Sequence, residues 1–316
     1  MKLAIKIGST ALADSCAMSD FAVVLRALLY DGHTAIVVHG GARAFLGDDN
    51  SQIAPAKGED PGDMALMVLG GRVNKYLVAT LGAAGVPAIG ICGADGNTVR
   101  LRRVHPGLRS NGHDLEVATV NPFWLDAITR SGGVPVLANV ALGPDARYHY
   151  LCADELAGAC AIGWRTDALI FLTGDEGFQD SDGKVVRWLG TEQITALRAG
   201  SSVPDRMLSK LIACQNALTQ GVNRTRIFPA RHIQNLPSFF TERLNFGTEI
   251  IPGDSRTARV GLGLGSTPET GEAPVTGRRM DPDPQSPQEI EAQSSANTDQ
   301  VLLESCGGKL RVTAGG

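Results

Sequence analysis

The sequence predicts a three-layer α/β fold, in which a doubly wound, mainly parallel sheet carries helices on both faces. Two observations support this fold class. Short apolar, β-branched runs recur over about the first 250 residues, and each is followed by glycine or polar residues. Amphipathic stretches with helical spacing lie between these runs. Repeated succession of strand, glycine-rich turn and helix produces a parallel sheet that is covered on both sides.

The predicted strands share this composition and lie at 3–7, 34–38, 88–91, 134–138, 168–172 and 226–228. Two helices are the clearest, one over 63–81 and one over 207–218. The apolar face of the second helix consists of Met207, Leu211, Cys214 and Leu218. Because ligands of open α/β sheets bind at the carboxyl ends of the strands, the residues that follow each strand are the candidates for a site.

The domain organisation follows from a shift in composition near residue 250. All sixteen aromatic residues lie at or before Phe246, and the chain from Pro252 onward is rich in Gly, Pro, Ser, Thr and acidic residues. Such a segment buries too little apolar surface to offset the entropy lost on ordering. We therefore predict one domain over 1–251 and a disordered tail over 252–316.

Charge and cysteine content exclude several classes of function. The 316 residues include 29 Lys and Arg against 33 Asp and Glu, a net charge of −4, so no broad basic surface is available for nucleic acid or an anionic membrane. The six cysteines form no zinc or redox motif, and no metal site of the protein's own is predicted. There is no membrane-length apolar run and no signal peptide. A soluble, cytoplasmic protein is expected.

Two strand ends carry residues suited to binding an anion. Lys6 is followed by Gly8 and Ser9, so an ammonium group could lie over a phosphate while the backbone amides approach its oxygens; alternatively, Lys6 faces water. Gly40 and Gly41 end the second strand. They could let a ligand lie on the main chain, or could serve only a tight turn with positive φ.

Two further charged residues are candidates in later helices. Asp154 opens a helical stretch and could be only an N-cap. Lys210 lies in the N-terminal part of its helix, where the helix dipole disfavours a cation, so either an anionic partner or solvent is expected around it. The Walker A and GxGxxG fingerprints are absent. Any site must therefore be assembled from distant segments.

Eight segments, taken in order, resemble the amino-acid kinase family. They are KIGST at 6–10, VVHGG at 37–41, MVLGGRVNK at 67–75, AIGICGADG at 88–96, CADELAG at 152–158, LIFLTGDEG at 169–177, MLSKLIACQNAL at 207–218 and FGTEI at 246–250. The resemblance covers 2–250, and the tail has no counterpart in it. It implies a doubly wound α/β sandwich whose N-terminal half binds the acceptor and whose C-terminal half binds ATP, with Mg²⁺ arriving on the nucleotide.

The resemblance also implies a reaction. A phosphoryl group of ATP would be transferred to the side-chain carboxylate of an N-acylated acidic amino acid, for which N-acetylglutamate in arginine biosynthesis is the leading expectation. The family's catalytic residues fall on Lys6, Asp154 and Lys210. A carboxylate nucleophile is already ionised at pH 7, so the chemistry needs positive charge and alignment and requires no general base.

Binding residues are implied position by position. The acceptor carboxylate and the transferred phosphoryl group would lie on Gly40 and Gly41. The residues implied around the nucleotide are Gly8, Ser9, Thr173, Asp175, Gly177 and Arg206. Asn74 would be a structural or inter-subunit residue. A homodimer without arginine feedback is expected, since the chain starts directly at the first strand.

The implied acceptor pocket departs from the family pattern. The arginine that clamps the substrate's α-carboxylate aligns with Pro55, and the asparagine that binds the same substrate aligns with Tyr150. Lys57 is the candidate replacement cation, although a point charge lacks the forked geometry of a guanidinium. The alternative to an active kinase with altered acceptor preference is a catalytically impaired member that binds nucleotide or amino acid as a regulator.

Overall fold

The computed structural model describes residues 1–41, 60–104, 114–200, 203–240 and 246–253. All of these belong to one compact unit spanning Met1–Thr267. The expectations about Pro55, Lys57 and the 252–316 tail fall almost entirely outside the described residues, and they stay predictions.

A sheet of eight strands forms the middle layer, in the order β10-β12-β11-β9-β1-β2-β6-β3. Its neighbouring strands are parallel except for β11 and β12. The described strands are β1 (Lys2–Ile7), β2 (Thr34–His39), β3 (Ala88–Cys92), β4 (Val99–Arg103), β5 (Leu115–Val120), β6 (Val134–Ala138), β7 (Val140–Leu142), β8 (Tyr148–Tyr150), β9 (Ala168–Thr173), β10 (Trp188–Gly190), β11 (Arg224–Pro229) and β12 (Thr248–Ile251). Two antiparallel pairs, β4 with β5 and β7 with β8, lie outside the main sheet.

Helices cover both faces of this sheet. The described α-helices are α1 (Ser9–Ala13), α2 (Ser15–Tyr30), α3 (Pro61–Ala65), α4 (Asn74–Ala83), α5 (Phe123–Arg130), α6 (Ala153–Gly163), α7 (Thr191–Ala199) and α8 (Asp205–Thr219). A π-helix, Leu66–Val73, joins α3 to α4, and short 3₁₀ turns occupy Asp95–Asn97, Ala230–Asn235 and Pro237–Phe240.

The layers follow from side-chain alternation along the central strand β1. Leu3, Ile5 and Ile7 enter one apolar core together with residues of α2, the π-helix and α4. Ala4 enters the opposite core, which is formed with α5, α6, α7 and α8. Lys6 is in register with Ala4, so its side chain leaves the sheet on the face that α6 and α8 cover. The predicted three-layer, doubly wound fold class is confirmed.

The predicted elements are present, with differences in detail. All six predicted strands occur, several of them longer by one to three residues. The helix predicted over 63–81 runs from Pro61 to Ala83, but its middle is π-helical, which the apolar spacing did not indicate. The two antiparallel pairs and the strands β10 and β12 were missed. Among the described helices, none combines the length and apolar character that a bilayer crossing needs.

Candidate active site

The loops that follow β1, β2 and β9 meet at the carboxyl edge of the sheet. The amide of Gly8 donates to the carbonyl of Leu172 at 2.8 Å, which ties the first loop to the end of β9. Gly41 has φ +92°, and a Cβ placed on it would lie 2.6 Å from Leu12 Cδ2 and 3.5 Å from the Cα of Ser9. Glycine at 41 therefore lets the second loop pack directly against the first.

Three charged side chains meet beside these loops. Lys6 Nζ lies 2.7 Å from Asp154 Oδ1, and Lys210 Nζ lies 3.1 Å from Asp154 Oδ2. Exposed fractions of these residues are only 6%, 7% and 5% for Lys6, Lys210 and Asp154. The predicted convergence of residues from distant segments is present, and the alternative that Lys6 or Lys210 is a solvated surface lysine is wrong.

Each of the three residues comes from a different element. Lys6 precedes the last residue of β1, Asp154 is the second residue of α6, and Lys210 lies in the second turn of α8. The N-cap of α6 is Cys152, so the interpretation of Asp154 as only a helix cap is wrong. Lys210 also donates to the carbonyl of Arg206 at 2.8 Å, which fixes the ammonium at this end of α8.

The electrostatics of this cluster favour an anion. Burial alone would raise the pKa of the Asp154 carboxyl, but Lys6 and Lys210 outweigh burial and hold this pKa below its usual value. Ser209 supports the ionised form by donating to Asp154 Oδ2 at 2.7 Å. Two ammonium groups against one carboxylate leave one net positive charge in a nearly water-free position. Such a charge is compensated best by a bound anion.

The residues implied around a nucleotide form a second group at the same edge. The Thr173 hydroxyl donates to Asp175 Oδ2 at 3.1 Å, and Arg206 lies 3.6 Å from Asp175 Oδ1. The structure thus brings the end of β9 and the start of α8 together. Gly177 has φ +135°, and a Cβ there would lie 2.7 Å from Thr248 Oγ1. This glycine is required by the backbone of the loop.

The residues implied around the acceptor are only partly together. Gly40 lies against α6, since a Cβ on Gly40 would lie 3.0 Å from the Cβ of Ala153. Asn139 holds this arrangement, because its Nδ2 donates at 2.6 Å to the carbonyl of Leu151, the residue after Tyr150. Tyr150 itself is half exposed at the end of β8. Lys57 lies outside the described residues.

A buried histidine lies directly behind the glycine pair. His39 Nδ1 is 3.1 Å from the carbonyl of Gly40, and Asn74 Nδ2 lies 3.0 Å from His39 Nε2 and donates at 2.9 Å to Val136. These contacts require Nδ1 to donate and Nε2 to accept in the neutral ring. Burial, with a smaller contribution from Lys6, lowers the pKa of His39 to about 4, although the contact with Gly40 opposes the shift. Asn74 therefore has a structural role inside the subunit.

Comparison with known proteins agrees with this geometry. The family model described as "Amino acid kinase family" matches residues 1–229. The chain belongs to the amino acid kinase family. Among curated relatives, the acetylglutamate kinase of Acidobacterium capsulatum is 41% identical over 261 residues, covering 79% of this chain and 99% of that protein. The acetylglutamate kinase of Koribacter versatilis is 39% identical over 259 residues, with the same coverage of both chains.

Solved structures show the same fold. The N-acetylglutamate synthase from Neisseria gonorrhoeae, complexed with coenzyme A and N-acetyl-glutamate, superposes with a TM-score of 0.63 at 19% identity, covering 79% of this chain and 59% of that one. At this level of identity the likeness concerns the amino acid kinase fold alone.

Sequence reasoning missed several residues of this candidate site. Ser209 was passed over although a hydroxyl directly before Lys210 is a visible signal. His39 appeared only as part of a motif, and its role depends on a partner 35 residues away. Asn139 follows the buried strand β6, where a polar residue at a strand end could have identified it.

Proposed function

We propose that this chain is an ATP-dependent kinase that phosphorylates the side-chain carboxylate of N-acetylglutamate, a step of arginine biosynthesis in the cytoplasm. The relatives named acetylglutamate kinase support the reaction over the length of the described fold. The observation that carries the proposal is the single carboxylate of Asp154 held between two buried ammonium groups. This arrangement suits phosphoryl transfer between two anions.

In the proposed reaction a carboxylate oxygen of the acceptor attacks the γ-phosphorus of ATP. The bond between this phosphorus and the oxygen bridging to the β-phosphate breaks, and ADP leaves with the electron pair. Lys6 and Lys210 would stabilise the negative charge on the transferred group and on the leaving oxygen. Asp154 would keep the two ammonium groups apart and aimed. No proton needs to be removed from the acceptor, since its carboxylate is ionised at neutral pH.

The glycine loops would let both substrates approach the main chain. Gly8 is buried, and a Cβ there would lie 3.0 Å from the carbonyl of Leu172. With no side chain at Gly8, Gly40 or Gly41, backbone amides are accessible to phosphate and carboxylate oxygens. Ser9, Thr173, Asp175, Gly177 and Arg206 are proposed to surround the nucleotide.

Mg²⁺ is proposed to arrive with ATP. The described residues contain no cluster of three His, Cys, Asp or Glu side chains that could hold a metal ion, and they place two ammonium groups at the centre. This donor set suits a Mg²⁺ that keeps phosphate and water ligands, with Asp175 as the nearby carboxylate. When bound, the ion would neutralise charge on the β- and γ-phosphates.

A homodimer is also proposed. The strand β3 lies at one end of the described sheet and exposes Ile89, whose relative exposure is 43%. An apolar side chain on an edge strand is a suitable surface for a second copy of the chain.

An acceptor panel tests the proposed function. ADP release is measured by a coupled assay with N-acetylglutamate, N-acetylaspartate and free glutamate, each at saturating MgATP. We expect turnover to require the acceptor and to be fastest with N-acetylglutamate. Nucleotide binding without any acceptor-dependent ADP release would instead support the regulatory alternative.

A further inference from the structure

A cavity of about 450 Å³ lies beside the candidate active site. Its walls come from the start of α3, from the end of the β4–β5 hairpin that carries Arg103 and Leu115, and from β8 with the turn before it. Tyr150 lines this cavity. Small-molecule sites commonly have volumes of about 300–1,000 Å³, so the cavity could hold an acyl-amino acid.

The segment that lines the cavity leads directly into the reaction centre. Tyr150 precedes Asp154 by four residues, so their Cα atoms cannot be more than about 14 Å apart. Between them, Leu151 is bound to Asn139 by two hydrogen bonds, of 2.9 and 2.6 Å, and Ala153 lies against Gly40. A ligand of amino-acid size could therefore extend from the cavity toward the glycine loops.

Most charges in the cavity wall are already paired. Arg147 lies 3.7 Å from Asp60, and His149 Nε2 lies 3.0 Å from Asp145. Arg103, the last residue of β4, is exposed to the cavity and forms no ion pair with another described residue. Among the described residues of this wall, Arg103 is thus the cation that is available to a ligand.

Arg102, the preceding residue of β4, differs from Arg103 in its ion pairing. Consecutive side chains of a strand point to opposite faces, and Arg102 lines a different cavity. Arg102 Nε lies 2.7 Å from Glu116 Oε1, directly across the hairpin. Arg103 is opposite Leu115, so its cross-strand neighbour offers no charge. Within the hairpin, Arg102 is therefore paired with Glu116, whereas Arg103 has no ion-pair partner among the described residues.

We propose that Arg103 binds the carboxylate of the acceptor that is not phosphorylated, in the cavity shared with Tyr150. This inference rests on the proposed function, in which an N-acylated dicarboxylic amino acid keeps one carboxylate unreacted. A guanidinium can bind that carboxylate through two parallel hydrogen bonds, which fixes the orientation of the substrate as well as its charge. The other carboxylate is then directed to the reaction centre.

The test compares Arg103→Ala and Arg103→Lys with Arg100→Ala. Arg100 is an exposed arginine of the same strand that lines neither cavity, so it is the matched control. For Arg103→Ala we expect the KM for N-acetylglutamate to rise about 10- to 100-fold, the range that a hydrogen bond to a charged group is worth. The KM for ATP should stay unchanged, and Arg103→Lys should recover part of the loss.

A substrate analogue separates direct contact from a structural role. In this analogue the unreacted carboxylate of N-acetylglutamate is replaced by a carboxamide. The unmodified protein should lose kcat/KM by a similar factor with the analogue, whereas Arg103→Ala should treat both acceptors alike. An equal penalty in both proteins, or an unchanged KM in Arg103→Ala, overturns the assignment of Arg103 alone. Absence of N-acetylglutamate turnover by the unmodified protein overturns the proposed function itself.

Discussion

Charged side chains differ in burial and ion pairing between the reaction centre and the neighbouring cavity. At the centre, Lys6, Asp154 and Lys210 are each more than nine-tenths buried, and both lysines are paired with Asp154. In the cavity wall Arg103 is exposed and forms no ion pair with a described residue. Groups that must hold one geometry through a reaction gain from burial and mutual pairing, whereas a group that recognises a substrate must be free to exchange water for it.

Removal of one ammonium group at the centre gives the largest expected effect. Lys210→Ala should lower kcat by at least about 100-fold, because a positioned donor of this kind is worth about 3–4 kcal/mol in the transition state. Steady-state kinetics with saturating MgATP and acceptor measure this loss. The KM for the acceptor should change much less than it does in Arg103→Ala, which would sharpen the distinction between the two regions.

Lys184→Ala is the matched control for this substitution, since Lys184 is an exposed lysine whose side chain makes no described contact. Its kcat should equal that of the unmodified protein. Thermal unfolding of both variants shows whether the fold is kept. An unchanged kcat in folded Lys210→Ala would show that Lys210 takes no part in the reaction. The proposed difference between the two regions would then be wrong.

The buried histidine behind the glycine pair makes stability depend on pH. The pKa of His39 falls from 6.5 to about 4 on folding, so between these values the unfolded chain binds a proton that the folded protein does not. Stability should therefore decrease as pH falls from 6.5 to 4, by about 3 kcal/mol. Asp154, whose pKa is also lowered, adds its own loss only below its usual value of 3.8.

Urea unfolding at several pH values measures how the free energy of unfolding depends on pH, both in the unmodified protein and in His39→Gln. Glutamine cannot titrate, so the variant should show a flatter dependence between pH 4 and 6.5. An identical slope in the two proteins would mean that other groups dominate this pH range. The neutral burial of His39 would then not be the main source of the pH dependence of stability.

Truncation after Gly253 gives the smallest expected effect. Gly253 is kept because its amide donates to Thr191 Oγ1 at 2.9 Å, and the composition beyond it predicts no packed structure. Deletion of 254–316 should leave kcat, acceptor KM and melting temperature nearly unchanged, and sedimentation velocity should give the same oligomeric state as for the full chain. A large loss of activity, stability or association would show that this segment packs against the folded domain.

The sequence was sufficient to bring Lys6, Asp154 and Lys210 together, but it did not indicate the cavity. Lys6, Asp154 and Lys210 could be placed together because the ends of parallel strands and the helices that follow them share one edge of the sheet. Arg103 could not be placed, since its short strand lies outside the main sheet and Arg103 is paired there with Leu115 of the same hairpin. Pairing across a short hairpin depends on tertiary context more than on local propensity.

The π-helical segment was also beyond prediction. The apolar spacing over Leu66–Val73 fits an ordinary helix, and the wider turn is visible only in the backbone. It leads directly into Asn74, which binds His39. The sequence indicated the helix and Asn74, but the contact between Asn74 and His39 depends on the π-helical winding of the preceding turn.

The distribution of the three charged residues along the chain has a consequence for biosynthesis. Lys6 is synthesised well before its partners, since Asp154 and Lys210 lie 148 and 204 residues later in the chain. The strand that carries Lys6, β1, can also complete its pairing in the sheet only after β9 has been synthesised. Closing contacts of such long sequence separation is slow. During translation, phosphotransferase activity would therefore begin only after Lys210 has emerged from the ribosome, so the appearance of activity would mark completion of the charged cluster.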